Sequence, residues 1–162
     1  MAIDGVTGCM KIGEVNKNKK QFISLLLLAD EQESMVDRYL EKGTMYVLED
    51  NDVKAECVVT DEGNGILEIK NIAVNPENKG KGYGKALIDF LASKYADEYS
   101  VLQVGTGDSP LTIPFYEKCG FVRSDWRWHW LLPAIFWAIH RCSGNGNIRT
   151  STSPFLPSRP PI

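Results

Sequence analysis

The stretch from Glu68 to Phe90 constrains this chain most, because it joins an apolar strand, a glycine-rich turn and a helix in that order. Leu67, Ile69, Ile72 and Val74 make the strand, and Asn75-Pro76 stops it, since proline cannot donate to a sheet ladder. Gly80, Gly82 and Gly84 then alternate with Lys81 and Tyr83, and Leu87, Ile88, Leu91 and Tyr95 recur at helical spacing. Glycines at a helix start bring several bare amides to one point, and with the positive end of the helix dipole they make a concave anion site. An amide-to-phosphate bond contributes about 1.5–3 kcal/mol, against about 0.3–1 kcal/mol for the dipole. Backbone donors therefore dominate, with Lys79, Lys81 and Lys85 adding attraction. The pattern predicts a phosphate-bearing ligand; the competing reading is a surface turn whose lysines serve solubility. Other phosphate motifs fit badly. A P-loop needs Ser or Thr after its Gly-Lys, where this chain has Ala86, and in a dinucleotide fingerprint the third glycine falls one residue later.

The run Asn71-Ile-Ala-Val-Asn-Pro, followed by Lys79-Gly-Lys-Gly-Tyr-Gly-Lys-Ala-Leu-Ile, resembles the acetyl-CoA signature of the GNAT N-acetyltransferases, (Q/R)-x-x-G-x-(G/A) after a strand. Further on, Pro114-Phe-Tyr-Glu-Lys-Cys-Gly-Phe121 is similar to that family's second hallmark, F-Y-x-x-x-G-F. The resemblance covers residues 10–124 and departs from the pattern at Lys79, where Gln or Arg is usual. It implies an α/β (α+β) fold with a mixed central sheet, whose fourth and fifth strands splay apart to receive the pantetheine arm. Acetyl-CoA is then the co-substrate, and the acceptor is a primary amine on a small molecule or an exposed amino group.

The resemblance also assigns roles. Main-chain groups of Ile72, Ala73 and Val74 hold the arm, and Lys79, Gly80, Lys81, Gly82, Tyr83, Gly84 and Lys85 hold the diphosphate. Tyr116 donates to the departing sulfur, and Ser109 stands where relatives carry an Asn that touches the arm. Tyr116 as a plain core aromatic, and Ile72 and Val74 as plain core residues, are the competing readings. Glu68 is the candidate base. Alternation sets Glu68, Lys70, Ile72 and Val74 on one face of the strand, with a surface or ion-paired carboxylate as the alternative. An ordinary carboxylate near 4.3 is a weak base for an ammonium near 10.4, so such a base works through water or at a raised pKa. Cys119 has no basic neighbour in sequence and is not read as a nucleophile.

A chain of 162 residues is one domain's worth, and its net charge of −3 gives no electrostatic case for nucleic acid. Residues 1–9 read as a leader without a basic region or apolar run, hence not a secretory signal. Cys9, Cys57, Cys119 and Cys142 are widely spaced and suit a reducing cytoplasm, with neither a disulfide framework nor a metal site expected. Met10 to Val15 is the expected first strand. Asn16 is expected to cap a helix through Leu28, with Phe22, Ile23, Leu26 and Leu27 inward. A second helix is expected from Glu31 to Lys42, closed by Gly43, with Met35, Val36, Tyr39 and Leu40 as its apolar stripe. In the family these helices wall the acceptor site; Asp30, Glu31, Glu33 and Asp37 there either favour a cationic amine or make a solvated face. Strands are expected over Thr44–Leu48, Val53–Thr60 and Ser100–Val104. The Leu111–Cys119 helix either kinks at Pro114 or starts there.

The tail, 125–162, does not match the family. Residues 1–125 carry a net charge of −7 and residues 126–162 a net charge of +4, and all four Trp and both His lie in the latter. Trp126, Trp128 and Trp130 alternate as in a strand. Three accounts stand open: a shifted reading frame that replaced the last strand, a divergent strand with an oligomer contact such as a homodimer, or a membrane-surface or aromatic binding segment. The leading function is acetyl-CoA-dependent N-acetyl transfer in the cytoplasm. The alternative is a catalytically impaired CoA-binding or assembly protein of the same fold.

Overall fold

The computed structural model describes residues 9–105, 112–124 and 127–131. Ser109 and most of the anomalous tail therefore lie outside the described residues. Among the described residues, seven strands form one sheet in the order β1-β2-β3-β4-β5-β7-β6. They are β1 (Lys11–Val15), β2 (Thr44–Asp50), β3 (Asp52–Gly63), β4 (Ile66–Val74), β5 (Val101–Val104), β6 (Val122–Ser124) and β7 (Arg127–Leu131). The first four run as antiparallel neighbours, and β4 and β5 are the one parallel pair among the described residues. A parallel neighbour needs a crossover, and α3 (Tyr83–Tyr95) supplies it. Its buried stripe of Leu87, Ile88, Leu91 and Tyr95 packs on Leu67, Ile69, Cys57 and Val59, on the sheet face it shares with α4 (Ile113–Lys118). Helices α1 (Ile23–Leu26) and α2 (Glu33–Leu40) cover the other face through Leu26, Val36, Tyr39 and Leu40 against Met45, Val47 and Val58.

Several expectations are corrected. The helix expected from Asn16 is a 3-10 turn, Lys19–Phe22, leading into the four-residue α1. Asn18 stands at φ 51, which breaks the helical path, and the Lys19 ammonium reaches across to the carbonyls of Leu40 (2.9 Å) and Gly43, closing the end of α2. Leu27 and Met35 are exposed rather than inward. Helix α2 is shorter than expected. It gives way before Gly43, where a Cβ would stand 2.7 Å from Val58 Cγ1 and 2.8 Å from the Tyr39 carbonyl, so only glycine fits. Pro114 sits in the first turn of α4, where its missing N–H costs nothing.

The largest correction concerns the face of Glu68. The register pairs Val58 with Asn71 but Val59 with Ile69, leaving Lys70 as an extra residue in β4. This bulge inverts the alternation. Ile72 and Val74 therefore join Leu67 and Ile69 against the α3 core, while Asn71 points to α1 and α2, bonding the Leu26 carbonyl and the Tyr39 hydroxyl. Glu68, between Leu67 and Ile69, shares the Asn71 face and not that of Ile72 and Val74. The Lys70 ammonium bridges the carboxylates of Glu68 (2.8 Å) and Glu62 (2.9 Å), the second being the residue left over at a further irregularity in β3.

Candidate active site

Strand β5 pairs with β4 only from Ile66 to Ile69. From Lys70 to Val74, β4 continues without β5, and the opening is a cleft of about 500 Å³. Its walls are β4 from Ile69 to Val74, Val104 and Gly105 at the end of β5, Tyr116, and Leu28, Ala29 and Asp30. A second cleft of about 620 Å³ runs along Gly80, Gly82, Gly84 and Phe115. Ile72, Val74, Lys79, Thr112 and Tyr116 line both, so the two form one trough from the glycine turn to the gap in the sheet.

The glycine turn is shaped as an anion cradle. Gly80 (φ 78) and Gly82 (φ 88) both take left-handed conformations, and Gly82 is the N-cap of α3. A Cβ on either would meet nothing within 4 Å, so the turn faces open space and glycine is required by backbone angle rather than by crowding. The first-turn amides of α3 have no carbonyl of their own helix to bond. Gly84 differs: a Cβ there would stand 3.1 Å from the Phe115 ring and 3.4 Å from Val74, which fixes the close approach of α3 to β4 and α4. The Tyr83 hydroxyl donates to Asp50 (2.7 Å) and ties the first turn of α3 to the β2–β3 end. Lys81 bonds Asn78 (3.1 Å) and Lys85 pairs with Asp89 (2.6 Å), whereas Lys79 lines both clefts. A diphosphate fits the open turn at the N-terminus of α3, and an extended arm fits the gap beside Ile72 and Val74.

Tyr116 is buried where the two clefts meet, and that burial, with the nearby Cys119 adding to it, pushes its phenol up to about 12. It is therefore a hydrogen-bond donor at neutral pH. Burial likewise pushes the Cys119 thiol up to about 11, so it stays protonated. Glu68 is nearly buried at the apex of the splay, with Oε1 3.9 Å from where a Cβ on Gly105 would stand. Its other oxygen accepts from the Gln103 amide. Burial works against the charge of Lys70, but its pairs with Glu68 and Glu62 outweigh that and raise its pKa. Ala73 is buried on the Asn71 face, opposite Glu56 in the register.

The sequence reading missed Glu56. It stands in the middle of β3, fully buried, and neither carboxylate oxygen has a hydrogen-bond partner. Burial, and secondarily the charge of Asp30, push it up to about 8. The available signal was an acidic residue inside the run Ala55-Glu-Cys-Val-Val-Thr60, where only its neighbours look like core.

Residues 41–123 match the family model described as an acetyltransferase (GNAT) domain. The chain is 34% identical over 115 residues to the uncharacterized N-acetyltransferase YvbK of Bacillus subtilis, covering 69% of this chain and 73% of that protein. Two solved structures are 30% identical to it with a TM-score of 0.67: a Bacillus subtilis acetyltransferase in complex with CoA, and a GNAT family acetyltransferase from Elizabethkingia anophelis with acetyl-CoA bound. Each alignment covers 72% of this chain, and 79% and 78% of the respective neighbours. The described part of this chain thus has the cradle, the gap and the ancestry of one group of enzymes, and it belongs to the GNAT family as an N-acetyltransferase with acetyl-CoA as its co-substrate.

Proposed function

We propose that the chain transfers acetyl directly to a primary amine of a small molecule or an exposed amino group, without a covalent enzyme intermediate. The observation that carries this reading is the single trough in which the glycine turn, the gap beside β4 and the Tyr116 hydroxyl lie in sequence. Bound acetyl-CoA supplies the acetyl group as a thioester. Amides of residues 80–85 hold its diphosphate, with Lys79 adding charge, and the main chain of Ile72, Ala73 and Val74 holds the arm. Leu28, Ala29 and Asp30 bring the amine to the other side of the gap.

A new N–C bond forms, the C–S bond breaks, and one proton must leave the amine while the thiolate is stabilised. Tyr116 stabilises the sulfur by donating a hydrogen bond. With its phenol near 12 and a free thiol near 8.5, outright proton transfer is uphill by roughly 5 kcal/mol. Glu68 at the apex receives the amine proton through water, its carboxylate held in place by the Lys70 ammonium.

Thiol release from acetyl-CoA across a panel of diamines, amino acids and aminoglycosides tests the reading. Turnover with at least one amine is expected. Tyr116→Phe should then lower kcat about tenfold to a hundredfold, the worth of one charge-assisted hydrogen bond, with KM for acetyl-CoA little changed. Tight acetyl-CoA binding without thiol release from any amine would favour the catalytically impaired alternative.

A further inference from the structure

Among the described residues, three buried side-chain atoms lack a hydrogen-bond partner: Glu56 Oε1, Glu56 Oε2 and Asn71 Oδ1. Asn71 Oδ1 is an acceptor, both Glu56 oxygens become acceptors once that carboxyl ionises, and the two residues face α1 and α2. The Asn71 amide cannot turn over to use its oxygen, because its nitrogen already faces the Leu26 carbonyl (2.9 Å) and Asp30 (3.2 Å), which only accept. The Tyr39 hydroxyl, held well above its ordinary pKa chiefly by burial, takes a bond from Asn71 and spends its own proton on Asp30. Apart from the proton that burial keeps on the Glu56 carboxyl, no donor is left over in this cluster. An unmet buried acceptor is costly, so the arrangement is poorly satisfied as it stands. An ammonium has three donors and no acceptor, and it answers this deficit in number and in sign.

We propose that Glu56, Asn71 and Asp30 form a cation pocket that holds a non-reacting ammonium of the acceptor, so that the substrate class is an amine with a second positive charge. The inference rests on the transferase reading above and specifies its acceptor. Asp30, Asn71 and Ala73 line the cleft in the sheet, and Glu56, close enough to feel the Asp30 charge, is the residue next to be reached beyond them. Glu56 is on β3, opposite Ala73, and so one strand spacing, about 4.8 Å, farther from the β4–β5 gap than β4 itself. A pocket of two carboxylates raises the pKa of any amine it holds. It cannot also be the place where the nucleophilic nitrogen loses its proton. The reacting nitrogen therefore sits at the gap, beside Tyr116 and Glu68, and the second one lies deeper in.

The groups that face Glu56 are Asp30, from the α1–α2 connection, and Tyr39 of α2, with Asn71 beside them on β4. Among the described residues Asp30 is the one charge acting on it, and it raises the Glu56 pKa. An arriving cation reverses that balance, so Glu56 ionises and releases a proton as the amine binds.

Titration calorimetry of the CoA-loaded protein with diaminobutane and with butylamine tests this without requiring turnover. The diamine should bind at least about tenfold tighter, and its advantage should grow from about pH 6 to about pH 8.5 with proton release visible as a buffer-dependent enthalpy. Glu56→Gln should abolish the proton release and most of the advantage; Asp30→Asn, which preserves the hydrogen bonds, should reduce the advantage as well and serves if the first variant fails to fold. Equal affinity for both amines, or an undiminished diamine advantage in the variants, overturns the pocket. Selective diamine binding with no thiol release from any amine would instead overturn the transferase reading and leave the pocket standing.

Discussion

Glu56 carries a consequence for stability as well as for binding. Its carboxyl is raised from an ordinary 4.5 to about 8 because burial disfavours the charge, with Asp30 adding to it. A group raised in the folded state contributes its stability in full below the unfolded value and loses it as pH climbs through the folded one. The window thus runs from about pH 4.5 to about pH 8, and the fall across it is of the order of several kcal/mol. Glu56→Gln cannot ionise, so the variant should gain on the natural chain steadily across that window and level off above it. Denaturant midpoints measured from about pH 5 to about pH 9 check this; parallel curves for the two proteins would show that Glu56 is ionised throughout. The residue was not legible as functional beforehand, because an isolated Glu in an apolar run carries no spacing or motif. Its role follows from which strands lie on either side of it.

At the scale of elements, the two N-terminal pieces of the site were legible to different degrees. The glycine turn was readable because three glycines before a helical repeat dictate backbone angles, and Gly82 at φ 88 is the N-cap of α3. Gly82→Ala should cost about 1–2 kcal/mol of stability, the penalty of a left-handed residue with a Cβ, and should weaken acetyl-CoA binding. Gly13→Ala, in β1 with open space around it and no positive φ, is the control and should stay within about 0.5 kcal/mol. Thermal unfolding with and without acetyl-CoA separates the two effects. The orientation of Glu68 was not readable, since strict alternation from Glu68 to Val74 puts one extra residue on the wrong side of the sheet. Nothing local marks Lys70 as that residue. The bulge is set by the pairing partners in β3 and by the two carboxylates that receive the Lys70 ammonium. The helix expected from Asn16 failed for a similar reason, because the Lys19 side chain is used to close α2, a partner twenty-one residues away.

For the whole molecule, the composition break near residue 125 turns out to fall beside a strand. β7 lies between β5 and β6, so the sheet continues past the point where the sequence stops resembling its family. The motifs told of a mixed sheet and of a gap within it. They could not tell that the far side of that gap would include a stretch of so different a character. A consequence lies in how the two sides are joined. Among the described residues, the backbone ladder between the β1–β4 block and the β5–β7–β6 block consists of four paired positions, Ile66 to Ile69 against Val101 to Val104. A guest lying along the open margin of β4 extends that short seam and acts as mortar between two unequal slabs. At a hundredfold excess over its dissociation constant it contributes ~2.7 kcal/mol to the folded state. Amide hydrogen exchange with CoA added should therefore slow most along β5 and β7, remote from the diphosphate cradle, and uniform slowing across all seven strands would refute a mended seam.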